Sequence, residues 1–169
     1  MGKTGVNTTD PFARSVHGTN PQNLVELITR NKIYASMYWK EQCFALDAAN
    51  LINKAAKLKY VGGSWGGAMK PTDFLCLILK MLQIAPEDDI VFALIKAEEL
   101  KYVRLLGAFY LRLTGRPGDI YTFLEPLLND YRKVNLRRSD GGWEEGETVD
   151  SVVEKLLTRD YFFDIALPR

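Results

Sequence analysis

His17 is the only histidine in the chain, and it lies just before the first segment that has a helix-start pattern. A serine or cysteine nucleophile would depend on this one imidazole as its general base. A site with several histidine ligands is excluded, and no cysteine neighbours His17 at the spacing of metal ligands. We therefore predict no catalytic residue and no metal site, and we expect His17 to make local hydrogen bonds that hold the N-terminal segment.

Cys43 and Cys76 are the only two cysteines. A secreted domain stapled by disulfides usually has four or more, so the sequence predicts two small buried apolar side chains in a reducing compartment. The longest apolar run, residues 74–79, is far shorter than the roughly 20 residues that span a membrane. Residues 1–15 are polar and lack the apolar core of a signal peptide. These features predict a cytoplasmic or nuclear protein.

Four glycines within residues 62–67 suggest a phosphate-binding loop, because exposed backbone N–H groups can cradle phosphate. The nucleotide-binding P-loop requires a Gly-Lys-Ser/Thr sequence, but two residues separate Gly67 from Lys70. The dinucleotide pattern requires a preceding strand, and residues 54–60 have a helical pattern. The sequence therefore predicts a close-packed turn between helices and no cofactor, with Trp65 as a plug or an exposed anchor.

Adjacent carboxylates occur at residues 88–89, 98–99 and 144–145. Neighbouring residues on a helix do not face each other, so these pairs are predicted to be solvated rather than an acid/base pair. The chain has 22 basic and 21 acidic residues, giving a formal net charge of +1. A balance this even provides no overall field that attracts nucleic acid or an anionic membrane, although it permits a local basic patch.

The elements that must position these residues are mostly helices. Helix starts are predicted at Asn20-Pro21, Asp47, Thr72, Pro86 and Pro117, where capping side chains or prolines precede apolar residues at helical spacing. A last helix is predicted over residues 149–157, followed by an extended segment at 160–169. Residues 133–147 predict a β-hairpin with one basic and one acidic arm. The fold class is therefore a compact all-α single domain over residues 15–169 with one small β-hairpin, preceded by a flexible leader at 1–14.

The predicted helix at residues 100–113 is apolar almost all the way round. Its polar residues Lys101, Arg104 and Arg112 fall within a stripe of roughly 80° at helical spacing. Two interpretations remain open. The stripe forms internal salt bridges to acids such as Asp130 or Glu125, or it contacts an acidic partner helix or RNA phosphate.

A second basic cluster is expected to contact RNA phosphates, although the acidic arm that follows would neutralise part of its charge. It consists of Arg132, Lys133, Arg137 and Arg138. Trp39 and Trp65 are expected to be exposed aromatic anchors for protein partners, together with the stripe of Lys101, Arg104 and Arg112.

Short sequence words in a fixed order resemble the pre-mRNA-splicing factor 38 family over residues 15–169. They are HGTNPQ at 17–22, YWKEQCF at 38–44, YVGG at 60–63, KPT at 70–72, FLCL at 74–77, KMLQ at 80–83, KYVR at 101–104, RLTG at 112–115, LEPL at 124–127, NDYRK at 129–133 and LPR at 167–169. Each word is weak by itself, but their joint order over a whole domain is specific.

The resemblance implies a nuclear, non-enzymatic scaffold of the precatalytic spliceosome. Members of this family join with the U4/U6.U5 tri-snRNP and are needed for activation, in which U4/U6 pairing is unwound and U4 leaves. The implied partners are other spliceosomal proteins, among them a microfibrillar-associated protein and a zinc-finger splicing protein. The alternative is a module that binds U4/U6 or U6 RNA directly, against which the near-neutral charge and the lack of a known RNA-binding motif argue.

The sequence departs from the family pattern at both ends. Many members carry a charged, Arg/Ser-rich C-terminal tail, and because this chain stops at Arg169 we expect it to be a truncated form. Residues 1–13 match no part of the family pattern.

Overall fold

The computed structural model describes residues 7–144 and 146–168, which are mostly helical. The described α-helices are α1 Leu27–Ala35, α2 Ala48–Ala56, α3 Asp73–Ile84, α4 Asp88–Ile95, α5 Lys101–Thr114, α6 Pro117–Leu124 and α7 Val149–Thr158. Three single-turn helices join them, a 3₁₀ turn at Pro21–Leu24, a π turn at Trp39–Cys43 and a 3₁₀ turn at Glu125–Asn129. The predicted all-α fold is confirmed.

Polar side chains begin several helices as the sequence predicts. Asp47 accepts a hydrogen bond from the Asn50 N–H at the start of α2, and the Thr72 hydroxyl accepts one from Leu75 at the start of α3. Asn20 caps as predicted, but its helix is only the four-residue 3₁₀ turn, and α1 begins separately after Glu26. These caps satisfy N–H groups that have no partner within their own helix.

Helix α5 lies at the centre of the fold and packs against α2, α3, α4, α6 and α7. Residues 105–111 of this helix are buried. Gly107 allows α4 to approach closely, since a Cβ at this position would lie 2.9 Å from the Cβ of Leu94 and 3.2 Å from the Ile95 nitrogen. The core is thus one cluster built around α3 and α5.

Three two-stranded antiparallel hairpins cover one region of this core. They are β1 Ser64–Trp65 with β2 Lys70–Pro71, β3 Leu136–Arg137 with β4 Trp143–Glu144, and β5 Tyr161–Phe162 with β6 Ile165–Ala166. The predicted hairpin within residues 133–147 is confirmed. The glycine segment is not only a loop, because its glycine pairs flank strand β1.

The extended C-terminal segment folds back on itself as β5 and β6. Phe163 and Asp164 form the turn with φ values of 50° and 63°, in the left-handed region that two-residue hairpin turns require. Asp164 is a common turn residue, but Phe163 is not, so the local sequence gives only a weak turn signal here.

The N-terminal segment contacts the helical domain from Asn7 onward. The Gln22 amide donates to the Asn7 carbonyl oxygen at 3.0 Å and to the Thr9 hydroxyl at 2.7 Å, and the Asp10 N–H donates to the Gln83 carbonyl at 2.9 Å. Residues 1–6 of the predicted flexible leader lie outside the described residues. The domain boundaries at residues 14 and 15 stay a prediction.

Candidate interaction surface

Two arginines pair with the buried carboxylate of Asp130. Arg104 belongs to the predicted stripe, and Arg132 belongs to the second basic cluster. The Arg104 Nη1 lies 3.0 Å from Asp130 Oδ2, and Arg132 places Nε and Nη2 at 2.9 and 2.6 Å from the two carboxylate oxygens. Hydrogen bonds from Arg132 first, and then from Arg104, lower the pKa of Asp130 to about 2, against an opposing effect of burial. Arg132 therefore belongs to an internal ion-pair network.

The other two stripe residues donate to backbone carbonyls. Lys101 Nζ lies 2.6 Å from the Lys133 oxygen. Arg112 donates from Nε to Leu156 at 2.7 Å and from Nη1 to Pro168 at 2.5 Å, which ties α5 to the end of α7 and to the C-terminal segment. The predicted internal salt bridge is therefore made by Arg104 alone, with Asp130 rather than Glu125 as the acid, while Lys101 and Arg112 are held by backbone carbonyls. A partner-binding role for these three cations stays a prediction.

Trp39 is not an exposed anchor, so the expectation of its exposure is wrong. Its side chain is 2% exposed, and its indole N–H donates to Asn7 Oδ1 at 2.9 Å. The Lys80 ammonium lies 5.3 Å from the centroid of the ring. Trp39 lies in a separate π turn at Trp39–Cys43, because the extended residue Ser36 ends α1 before it.

Trp65 is half-buried in a ladder of alternating cations and aromatic rings. The Arg137 guanidinium carbon lies 4.0 Å from the Trp65 ring centroid on one side and 4.2 Å from that of Trp143 on the other. Lys70 Nζ lies 6.0 Å from Trp65, and the Tyr60 ring meets Trp143 edge-on at 5.0 Å. This stack, which we call the cation–π ladder, joins the β1–β2 and β3–β4 hairpins.

The glycine segment serves close packing. A Cβ on Gly63 would lie 2.7 Å from Asp164 Oδ2 and 2.8 Å from the Phe163 carbonyl carbon. The Ser64 N–H donates to Asp164 Oδ2 at 2.5 Å and the Gly66 N–H to Ser139 at 3.0 Å. Two of the N–H groups that a phosphate cradle would use are therefore occupied by protein acceptors, which supports the predicted close-packed turn.

The four residues of the predicted RNA-contacting cluster differ in their surroundings, and their contact with RNA stays a prediction. Arg132 is paired with Asp130, Arg137 is enclosed in the ladder, and Arg138 Nη2 lies 3.2 Å from Asp140 Oδ2. Lys133 is exposed, but its carbonyl accepts the Lys101 ammonium.

Arg137 and Arg138 instead line an open groove of about 370 Å³ with residues that the sequence analysis did not select. Arg159 and Tyr161 lie along it, and Asp164 occupies the turn of the C-terminal hairpin. Residues 136–139 form one side, and Arg159 with residues 161–164 forms the other, with Gly63 and Ser64 also in the lining. We call this feature the hairpin groove.

His17 lies at a tight turn with a φ of 50°, and its Nε2 donates to the Leu113 carbonyl oxygen at 3.0 Å. This hydrogen bond is not local, because it joins the N-terminal segment to the end of α5.

No group of three or more His, Cys, Asp or Glu residues in the described ranges is arranged to hold a metal ion. None of the described helices combines the length and apolar character that a membrane crossing requires.

Comparison with known proteins identifies the family of this chain. The model of the PRP38 family matches residues 14–169. The chain belongs to the PRP38 family.

Curated PRP38-family relatives support this assignment over most of the chain. Pre-mRNA-splicing factor 38 of Arabidopsis thaliana is 60% identical over 163 residues, which cover 96% of this chain and 46% of that protein. Pre-mRNA-splicing factor 38A of Homo sapiens is 54% identical over the same length and is covered to 52%. The chain therefore spans about half the length of the curated relatives it matches.

A solved structure shares the fold of this PRP38-family chain. It is the crystal structure of the Snu23–Prp38–MFAP1(217–258) complex of Chaetomium thermophilum, in which the matching chain is 36% identical with a TM-score of 0.84. The match covers 93% of this chain and 82% of that one.

The sequence analysis of this PRP38-family chain missed Trp143 and the C-terminal side of the hairpin groove. Trp143 faces Arg137 across the β3–β4 pair, and this cross-strand position was available from the predicted hairpin. Arg159 and Tyr161 carried no such signal, since their approach to residues 136–139 depends on the unpredicted turn at 163–164.

Proposed function

We propose that this PRP38-family domain is a non-enzymatic scaffold of the precatalytic spliceosome, which binds other spliceosomal proteins in the nucleus. Its role is in activation of the spliceosome, where U4/U6 pairing is unwound and U4 is released. The proposed partners are counterparts of Snu23 and MFAP1, in line with the zinc-finger and microfibrillar-associated partners that the sequence resemblance implies. The observation that carries this proposal is the solved Prp38 chain of the same fold, which is in a complex with two other proteins.

The character of the surface supports protein binding. Leu27 and Ile28 in the first turn of α1 are 60% and 71% exposed, and Met37 and Phe44 are also largely exposed. Large apolar side chains that stay exposed are typical of sites where a partner completes the packing.

A co-purification experiment tests the scaffold proposal. The chain is mixed with the Snu23 and MFAP1 counterparts from the same source, with no nucleotide present, and analysed by size-exclusion chromatography with light scattering. We expect one co-eluting species that contains all three proteins. Elution of the chain by itself in each pairwise and three-way mixture would contradict the proposal.

The role in activation requires a separate test. Nuclear extract depleted of the PRP38-family protein is supplemented with the full-length protein or with buffer, and the snRNA content of assembled complexes is followed on native gels. We expect complexes formed without the protein to retain U4 and those formed with it to release U4. Normal U4 release in the depleted extract would show that activation does not depend on this protein.

Direct binding to U4/U6 or U6 RNA is the second candidate function. It is favoured by the arginines of the hairpin groove and opposed by the net charge of +1 and by the pairing of Arg132 with Asp130. A fluorescence anisotropy titration of the chain on U4/U6 duplex at low and moderate salt decides it. A dissociation constant that weakens steeply with salt supports RNA contact, and no binding at low salt excludes it.

A further inference from the structure

The hairpin groove has a local charge that the whole chain lacks. Three arginines and one aspartate line it, so its formal charge is +2 while the net charge of the chain is +1. Asp164, the acid of the groove, already accepts the Ser64 N–H through Oδ2. Asp140, which pairs with Arg138 at 3.2 Å, lowers this excess to +1, so the groove keeps a small excess of positive charge.

The three arginines differ in how firmly the fold holds them. Arg137 is enclosed between the Trp65 and Trp143 rings. Arg138 is exposed and contacts only the exposed Asp140 among the described ion pairs. Arg159 is exposed and lies with its guanidinium carbon 5.7 Å from the centroid of Phe162. Arg138 and Arg159 are thus the cations that an incoming acidic group can reach without disturbing the core.

The groove also has an apolar part. Phe162 is buried and Phe163 half-buried along it, and their rings stack on each other at 3.9 Å. Tyr161, at the end of β5, is 52% exposed. Arginine and tyrosine beside a partly apolar depression are the side chains that are enriched at the centres of protein interfaces. The volume of about 370 Å³ lies within the range of roughly 300–1,000 Å³ that is usual for binding pockets.

These features favour an acidic protein segment over RNA. Binding of single-stranded RNA relies on several phosphate contacts and on free aromatic faces on which bases stack. One face of Trp65 and one face of Trp143 are occupied by Arg137, and Phe163 has one face stacked on Phe162, with centroids 3.9 Å apart.

We propose that the hairpin groove is a docking site for an acidic segment of a protein partner. Carboxylates of the segment contact Arg138 and Arg159, and an apolar side chain between them packs against Tyr161. This inference rests on the proposed function, since it assigns a class of partner segment to the scaffold.

The test uses a short fluorescein-labelled peptide in which Glu and Asp residues flank a central Leu-Phe pair. Its binding to the chain is followed by fluorescence anisotropy. Two comparison probes have the same length: a peptide in which Lys replaces each acidic residue, and an oligouridylate. We expect the acidic peptide to bind, the basic peptide not to bind, and the double variant Arg138→Glu/Arg159→Glu to lose affinity by roughly tenfold or more.

Arg116→Glu is the matched control, because Arg116 is an exposed arginine outside the groove. We expect it to bind the peptide as the parent chain does, and circular dichroism spectra to be the same for all variants. Equal loss in Arg116→Glu and in the double variant would overturn the assignment to the groove. Tighter binding of oligouridylate that is lost in the double variant would overturn the choice of a protein partner.

The co-purification with Snu23 and MFAP1 counterparts separates this inference from the proposed function. If the parent chain binds the acidic peptide through the groove but neither protein, the scaffold proposal fails and the groove assignment stands. If it binds both proteins but not the acidic peptide, the groove assignment fails by itself.

Discussion

At the scale of single residues, Asp130 connects Arg104 of α5 with Arg132 of the segment before β3. Because the fold lowers its pKa to about 2, its carboxylate contributes stability above the unfolded-state pKa of roughly 3.9, and this contribution is lost as the pH falls through 2. We expect Asp130→Asn to lower the free energy of unfolding by about 2 kcal/mol at pH 7, since two arginines lose their counter-charge. Urea titrations at several pH values should show this difference shrinking between about pH 5 and pH 2.

Glu125→Gln is the control for this prediction. Glu125 is the other acid that the sequence offers to the basic stripe, and the structure leaves it exposed. We expect its substitution to change the free energy of unfolding by less than about 0.5 kcal/mol at every pH. A pH-independent difference between Asp130→Asn and the parent chain would refute the ion-pair explanation.

Arg112 provides a second prediction at this scale, because its two donors reach the Leu156 and Pro168 carbonyls together. A lysine retains the charge but not the planar fork that bonds both acceptors. We expect Arg112→Lys to cost about 1–2 kcal/mol in thermal unfolding, while Arg116→Lys on the surface changes stability little. If the arginine instead serves a partner, Arg112→Lys would weaken partner binding and leave the melting temperature unchanged.

The contacts and burial of individual residues could be predicted only in part from the sequence. Asp130 was named, together with Glu125, as a candidate acid for the stripe. The acceptors of Arg112 are backbone carbonyls 44 and 56 residues away, and nothing in their side chains signals them. The burial of Trp39 depends on tertiary contacts, among them the bond of its indole N–H to Asn7, which the local sequence does not show.

At the scale of elements, the β5–β6 turn packs directly on the glycine segment. Gly63 has no space for a Cβ, whereas a Cβ on Gly67 in the same segment would meet no atom within 4 Å. We expect Gly63→Ala to destabilise the chain by about 1–3 kcal/mol and Gly67→Ala to be neutral or slightly stabilising, because alanine reduces the entropy of the unfolded chain. Chemical denaturation measures the free energy of unfolding of both variants. Equal changes in the two variants would show that the packing of the β5–β6 turn on Gly63 does not stabilise the chain.

Element starts were more predictable than element ends and turns. Caps such as Asp47 and Thr72 act locally, through the third residue that follows, so the sequence displays both partners. The β5–β6 turn uses left-handed Phe163 and Asp164, which are held by ring stacking and by the Ser64 N–H. Such a turn is fixed by tertiary contacts, so its local sequence does not indicate it.

At the scale of the whole molecule, the hairpins and helices share one core. Phe163 of the C-terminal turn contacts the rings of Phe74 in α3 and Phe109 in α5. Composition predicted a single domain, but the position of the hairpin groove depends on segments about 75 and 100 residues apart in the chain. That distance explains why half of the groove was found only in the structure.

A shared core predicts that the cation–π ladder and the helices unfold together. Trp65→Phe/Trp143→Phe leaves Trp39 as the fluorescent reporter of the core, and Trp39→Phe leaves the two ladder indoles as reporters. In guanidinium chloride we expect each variant to give the same unfolding midpoint by tryptophan fluorescence as by circular dichroism at 222 nm. The hairpins and the helices share one core, so the hairpins cannot lose their contacts while the helices stay folded. The midpoints of the two variants will differ, since each loses its own packing, so the comparison is made within each variant. If the ladder fluorescence of Trp39→Phe changes at lower denaturant than its helical signal, the hairpins form a separate unit that opens before the helical core.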